Sequence, residues 1–163
     1  MDFETADAGY DSACAIGLVR VAGDAIVDRA YQLLRPPRRD FTFTHIHGIT
    51  WDMVRGAPTF GQAWRSLEKM LAGAAFVAAH NVGFDRSVLA ACCRSAALPM
   101  PDVWFHCSMR IARYVLKIQP TNLGNVCRQL GIPLQHHHAL SDAEACARII
   151  LTARRLTPSA VSR

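Results

Sequence analysis

Ala75-Phe76-Val77-Ala78-Ala79-His80-Asn81-Val82-Gly83-Phe84-Asp85 decides the architecture of this chain: an apolar run, a polar pair, and an acid that opens a second apolar pattern. A short apolar run of this kind suits a strand covered on both faces. Beyond it Phe84, Val88, Leu89 and Cys92 recur at helical spacing, so residues 84–97 are expected to form a helix. A buried strand running into a helix is the unit of an α/β sheet, and such sheets place their sites at the carboxyl ends of strands. Asp85 sits at that position, where an acid in the first helical turn also complements the helix dipole.

Working toward the N-terminus, residues 13–22 (Ala-Cys-Ala-Ile-Gly-Leu-Val-Arg-Val-Ala) are rich in strand formers, and Gly23-Asp24 is a tight-turn signal. Residues 25–34 then form the second arm of a hairpin that ends at Pro36-Pro37. The polar stretch 35–44 is expected to be an exposed loop whose Arg35, Arg38 and Arg39 are candidates to meet phosphate. Thr59 is placed to cap a helix over residues 60–71, with Phe60, Trp64, Leu67 and Leu71 on one face. Toward the C-terminus come a strand at 103–107, a helix at 108–116 capped by Ser108, and a helix at 122–130 stopped by Gly131 and Pro133. A final helix over 140–156 turns Ala143, Cys146, Ala147, Ile150 and Leu151 inward. A hairpin followed by alternating helix and strand predicts a mixed sheet with helices packed on it.

The chain has 163 residues, 51% apolar and 19% charged, which is the composition of one folded domain spanning 1–163. It holds no run of about 18 apolar residues and no basic-then-apolar leader, so neither a membrane span nor a secretory signal is expected. The formal charge of +5 rests almost wholly on arginine, since Lys69 and Lys117 are the only lysines. That surplus favours a polyanionic partner, and arginine grips phosphate with two donors at once. The cysteines (Cys14, Cys92, Cys93, Cys107, Cys127, Cys146) lack Cys-x-x-Cys spacing and fall mostly in apolar segments. They are read as reduced, buried thiols of a cytoplasmic protein.

Carboxylates carry the functional signal. Glutamate occurs only at Glu4, Glu68 and Glu144. Asp2 and Glu4 lie two apart in a strand-like segment, which points both side chains to one face. Asp85 opens its helix, and His137 precedes Asp142 by five residues, so the histidine hangs on the loop before the last helix while Asp142 enters its first turn. Acids inside apolar segments lose solvation, and a pair of divalent cations is the natural compensation. Of the three consecutive histidines, His136 is expected to be a solvated loop residue.

The segments Asp2-Phe3-Glu4, His80-Asn81-Val82-Gly83-Phe84-Asp85 and His137-His138-Ala139-Leu140-Ser141-Asp142 resemble, in order and separation, the three motifs of the DEDDh exonuclease family. His47-Gly48-Ile49-Thr50 with Ala57-Pro58-Thr59-Phe60 is similar to its epsilon-type branch, which serves proofreading in bacterial DNA polymerase III. The resemblance covers nearly the whole chain. It implies an RNase H-like α/β fold with a five-stranded mixed sheet in the order 3-2-1-4-5, flanked by helices. It implies that Asp2, Glu4, Asp85 and Asp142 hold two divalent ions, Mg²⁺ or Mn²⁺, that His137 is the general base, and that nucleoside 5′-monophosphates leave a 3′ end. Thr5, His47 and Asn81 are candidate substrate contacts, whereas Phe84 is expected in the core. The expected partners are single-stranded or frayed DNA or RNA 3′ ends, with no membrane; a polymerase partner is not visible in the sequence. An RNA exonuclease of the RNase T or oligoribonuclease kind stays open, as does a weakly active nucleic-acid-binding module.

Two departures from the family stand out. Thr5-Ala6-Asp7 replaces the Thr-Gly that many relatives carry, and only Met1 precedes Asp2 where relatives have several strand residues. The first strand is therefore expected to be truncated, or the natural start to lie upstream. Extending the chain with an apolar run before Met1 is expected to raise both the melting temperature and metal affinity; an extended protein with the same melting curve and activity would count against this.

Overall fold

The computed structural model describes residues 1–156. Strand β1 (Asp2–Thr5) pairs antiparallel with β2 (Ala13–Ala22), which pairs antiparallel with β3 (Ala25–Leu33). The β2–β3 hairpin turns at Gly23, whose φ of 56° is the left-handed value required at the first position of a two-residue turn. A second, parallel sheet joins β4 (Phe76–Ala79) to β5 (Trp104–Cys107). Seven α-helices accompany the strands among the described residues: α1 (Thr44–His47), α2 (Trp51–Val54), α3 (Phe60–Leu67), α4 (Val82–Ser95), α5 (Ser108–Tyr114), α6 (Leu123–Leu130) and α7 (Ala139–Leu156). No described helix is long and apolar enough to cross a membrane.

The single five-stranded sheet that the family resemblance implies is seen as two sheets, of three and two strands. The cause is the short first strand. The β1–β2 register begins at Asp2↔Gly17, so β2 runs on through Val19 to Ala22 without a strand on that side. A cavity of about 420 Å³, lined by Met1, Val19, Val21, Phe76, Ala78 and Ile150, separates it from β4. Arg20 reaches across the gap to the carbonyls of Met70 and Ala72, each at 2.9 Å. β1 is nevertheless tied down. The Met1 amino group donates to the Ala78 carbonyl at 2.8 Å, and the side chains of Met1 and Phe3 are buried.

Local chemistry explains most element ends. Gln62 accepts the Thr59 N–H at 2.8 Å to open α3, and the Asn122 side chain accepts from the Asn125 N–H at 3.0 Å to open α6. Gly131, at φ 65°, closes α6. The helix expected over 60–71 gives way to a 3₁₀ turn (Glu68–Leu71) after Leu67. Ser108 does not cap α5, because its hydroxyl faces His80 and the Ala79 carbonyl instead. Short helices α1 and α2 were not foreseen, being too brief to show a period.

Phe3, Ile16 and Leu18 of the larger sheet, with Leu34 just after β3, pack with Phe60, Trp64, Val88 and Leu89 of α3 and α4. A second cluster (Ala112, Leu123, Val126, Ile149) fastens α5 and α6 to α7. Helix α7 lies directly on β2, and Gly17 permits the approach: a β-carbon there would overlap the Ala139 carbonyl. All six cysteines are unbridged, five of them buried. Because backbone, not a pliable side chain, fills the space beside Gly17, Gly17→Ala must push the start of α7 off the sheet. We expect a loss of about 1–3 kcal/mol in urea unfolding, together with weaker divalent-cation binding, since Asp142 rides on that turn; unchanged values for both would show that α7 can adjust freely.

Candidate active site

Each acidic element arrives with its backbone already committed. In β1 Phe3 and Thr5 face inward, and Asp2 and Glu4 project to the opposite face as the two-residue strand period requires. One carboxylate oxygen each from Asp2, Glu4 and Asp142 can lie within 4.8 Å of one another. Asp85, only 1% exposed, borders the same cleft from the first turn of α4, and its Oδ1 accepts the Phe3 N–H at 3.0 Å. That bond locks α4 to β1 across 82 positions of sequence.

Asp142 is 5% exposed, and its two oxygens are used differently. Oδ2 accepts the His137 backbone N–H and faces His136 Nδ1, each at 3.1 Å. Oδ1 is buried with no hydrogen-bond partner among the described residues. An unpartnered buried carboxylate oxygen costs about 1–3 kcal/mol or more. Burial, followed by repulsion from Asp142 and Asp85, pushes the Glu4 carboxyl up to about 7. Burial, eased by the Met1 ammonium, holds Asp85 at about 7. Burial and the surrounding acids raise Asp2 as well. A cluster of hard oxygen donors that resists ionisation, with one oxygen aimed at nothing, fits divalent cations of the Mg²⁺ or Mn²⁺ kind.

His137 adopts φ 64°, and its ring lies at the exposed rim of the cleft, stacked 3.9 Å from His136. Burial and the neighbouring His136 hold its pKa below the ordinary histidine value. His136, expected to be merely solvated, instead engages Asp142; the run of three histidines was its only signal in the sequence. Their loop is pinned from below, where Gln135 N–H donates to Ser141 Oγ at 2.8 Å and His138 stacks on Tyr31.

The expected substrate contacts divide. Asn81 lines the cleft, in a left-handed conformation (φ 72°) that turns β4 into α4. Thr5 is buried, and neither it nor His47 lines the cleft. Both ring nitrogens of His47 are occupied: Nδ1 accepts from Ile49 N–H at 3.0 Å, leaving Nε2–H to donate to the Thr5 carbonyl at 3.1 Å. His47 is thus a clasp on the end of β1, and burial lowers its pKa. His80 is used in the same way, bonding Ser108 Oγ and the Thr121 carbonyl at 2.8 Å each. Phe84 corrects the expectation of a core position. It is 37% exposed at the cleft, edge-on to the exposed Tyr10 at 6.1 Å. The helical stripe is real, but Phe84 sits in the first turn and lines the cleft, outside the cluster that buries Val88 and Leu89.

Residues 1–150 match the family model for exonucleases of the RNase T type. The chain is 28% identical over 155 residues to the PolC-type DNA polymerase III of Bacillus cereus; this covers 92% of the chain and 11% of that protein. The chain thus spans about a tenth of that relative's length. The backbone superposes on exonuclease X in complex with 5′-overhanging duplex DNA with a TM-score of 0.79 at 24% identity, covering 98% of this chain and 92% of that one. It also superposes on the nuclease domain of 3′hExo, a DEDDh family member bound to rAMP, with a TM-score of 0.80 at 22% identity, over 99% and 92% of the two chains. These likenesses establish the fold.

The raised carboxyls have a consequence for pH. A carboxyl whose pKa is higher folded than unfolded binds extra protons in the fold, so its contribution to stability is lost as pH rises from the ordinary carboxylate range through about 7. The lowered pKa values of His47 and His80 act oppositely, removing stability as pH falls. The difference in melting temperature with and without Mg²⁺ separates the two. It is expected to be small near pH 5, where the carboxyls are protonated, and to grow steadily to pH 8. A difference independent of pH, or one kept by Asp142→Asn, would show that the ion binds elsewhere.

Proposed function

This chain belongs to the exonuclease family of the RNase T type, and from that premise we propose that it removes nucleoside 5′-monophosphates from the 3′ end of single-stranded or frayed DNA. The observation that carries the reading is the convergence of Asp2, Glu4 and Asp142 on a point where a buried Asp142 oxygen has no partner, with the His137 ring at the rim. Asp2, Glu4, Asp85 and Asp142 are the residues that would hold the cations. Two bound ions would supply electrostatic stabilisation of the scissile phosphate and acidify the attacking water.

The protein's own groups account for the rest. His137, kept neutral near pH 7 by its lowered pKa, accepts the proton of the attacking water. Its backbone bond to Asp142 fixes the loop that carries it. Phe84 and Tyr10 offer ring surface to a base next to the cleft, a mode that tolerates any sequence. The cleft measures about 340 Å³, the size class of a single small-ligand site, which suits one terminal nucleotide better than a continuous duplex.

The DNA polymerase relative favours DNA, and the neighbour bound to rAMP keeps RNA as the second reading. Proofreading beside a polymerase is a role the same relative suggests. The test is a 5′-labelled oligonucleotide, DNA or RNA, with Mg²⁺, Mn²⁺ or EDTA. A metal-dependent ladder shortening from the 3′ end is expected, abolished in Asp142→Asn and slowed about 10²–10⁴-fold in His137→Ala. Near-wild-type rate in His137→Ala would reject it as the base, and the DNA-to-RNA ratio chooses between the two substrates.

A further inference from the structure

A concavity wider than the acidic cleft lies elsewhere on the described residues. A groove of about 1620 Å³ runs between the loop before α1, helix α2, the start of α3 and the end of α4. Its walls carry Arg35, Arg39, Arg55 and Arg65. Two acids line it, and both face guanidinium groups: Asp11 is bound by Arg38 at 2.7 Å, and Asp52 lies 3.7 Å from Arg55. Arg35, Arg39 and Arg65 make no ion pair among the described residues, and all three are exposed. Arg39 lies 5.3 Å over the ring of Trp51, which also lines the groove.

The loop is built to hold this arrangement. Arg38, a phosphate candidate in the sequence, is instead an internal staple, gripping Asp7 and Asp11 with its guanidinium. The Arg35 N–H donates to the Pro58 carbonyl at 2.9 Å, anchoring one wall to the turn before α3. Arg38 thereby occupies Asp7 and Asp11, so those two carboxylates are not available to Arg35 and Arg39.

A single turn links this groove to the catalytic cleft. The turn that carries Asp11 carries Tyr10, whose ring meets Phe84 in the cleft, and Cys92 of the groove wall bonds the Tyr10 carbonyl. We infer that this groove binds the phosphodiester backbone of the substrate strand, several nucleotides to the 5′ side of the terminal residue in the cleft. The inference rests on the exonuclease reading for the identity of the strand. Arginines without ion pairs and an interleaved aromatic are the form that sequence-tolerant single-strand grooves take, and these line a groove whose two acids already face guanidinium groups.

The test is fluorescence anisotropy with 5′-labelled single-stranded DNA of four and fifteen nucleotides, titrated in EDTA at several salt concentrations. Because nothing is cleaved in EDTA, the result decides the groove whether or not the enzyme proves to be an exonuclease. The triple variant Arg35→Gln, Arg39→Gln, Arg65→Gln is compared with a charge-matched control, Lys69→Gln, Lys117→Gln, Arg155→Gln. Melting curves establish that both are folded. We expect the groove variant to bind the fifteen-mer at least tenfold more weakly, with the slope of log affinity against log salt reduced by about 2, or ~0.7 per lost phosphate contact. It should also lose the affinity gain that the fifteen-mer shows over the four-mer. Equal weakening in the control, or an unchanged affinity and slope in the groove variant, overturns the assignment.

Discussion

Burial of like charge at one end of the sheet is the constraint around which this molecule is arranged. Asp2, Glu4, Asp85 and Asp142 stand within each other's fields, and burial and mutual repulsion resist their ionisation. Among the described residues no arginine or lysine forms an ion pair with them; the Met1 ammonium lies in the field of Asp2 and Asp85, and His136 Nδ1 lies 3.1 Å from Asp142. Such an arrangement persists only if the surrounding backbone leaves the carboxylates nowhere else to go. β1 fixes two by strand period, the bond from Phe3 N–H to Asp85 fixes the third, and contact of α7 with Gly17 fixes the fourth.

The histidines show how one residue type is divided between structure and chemistry. His47 and His80 spend both ring nitrogens on neighbouring groups, and burial keeps them neutral. They act as clasps at the ends of β1 and β4, the two strands that deliver Glu4 and Asp85. His136 and His137 lie exposed on the loop before α7, stacked on each other at the rim of the cleft, with His137 in the left-handed region. Arginine is divided in the same way. Arg38 and Arg20 satisfy internal carboxylates and carbonyls, whereas Arg35, Arg39 and Arg65 face an open groove.

What could be read directly from the chain was whatever depends on local order. Period-two placement of Asp2 and Glu4, the apolar run before His80, the five-residue step from His137 to Asp142, and the Asn122 and Gly131 boundaries of α6 all follow from a few adjacent residues and the geometry of helix or strand. Those patterns sufficed for an α/β fold and pick out acids that the structure brings to one cleft.

The remainder depended on partners far away in sequence. Phe84 fits the apolar stripe of its helix, yet lies exposed at the cleft beside Tyr10. Ser108 looks like a cap, but His80 claims its hydroxyl. His136 looks like loop filler, but the return of α7 sets Asp142 against it. Whether five strands close into one sheet hinged on how far β1 extends beside β2, and whether Arg35 or Arg38 stays free hinged on where Asp7 and Asp11 come to rest. The sequence determined which residues carry charge and apolar surface and how they repeat; only the tertiary structure decided which of those charges would be neutralised, because pairing depends on distances that the fold alone sets.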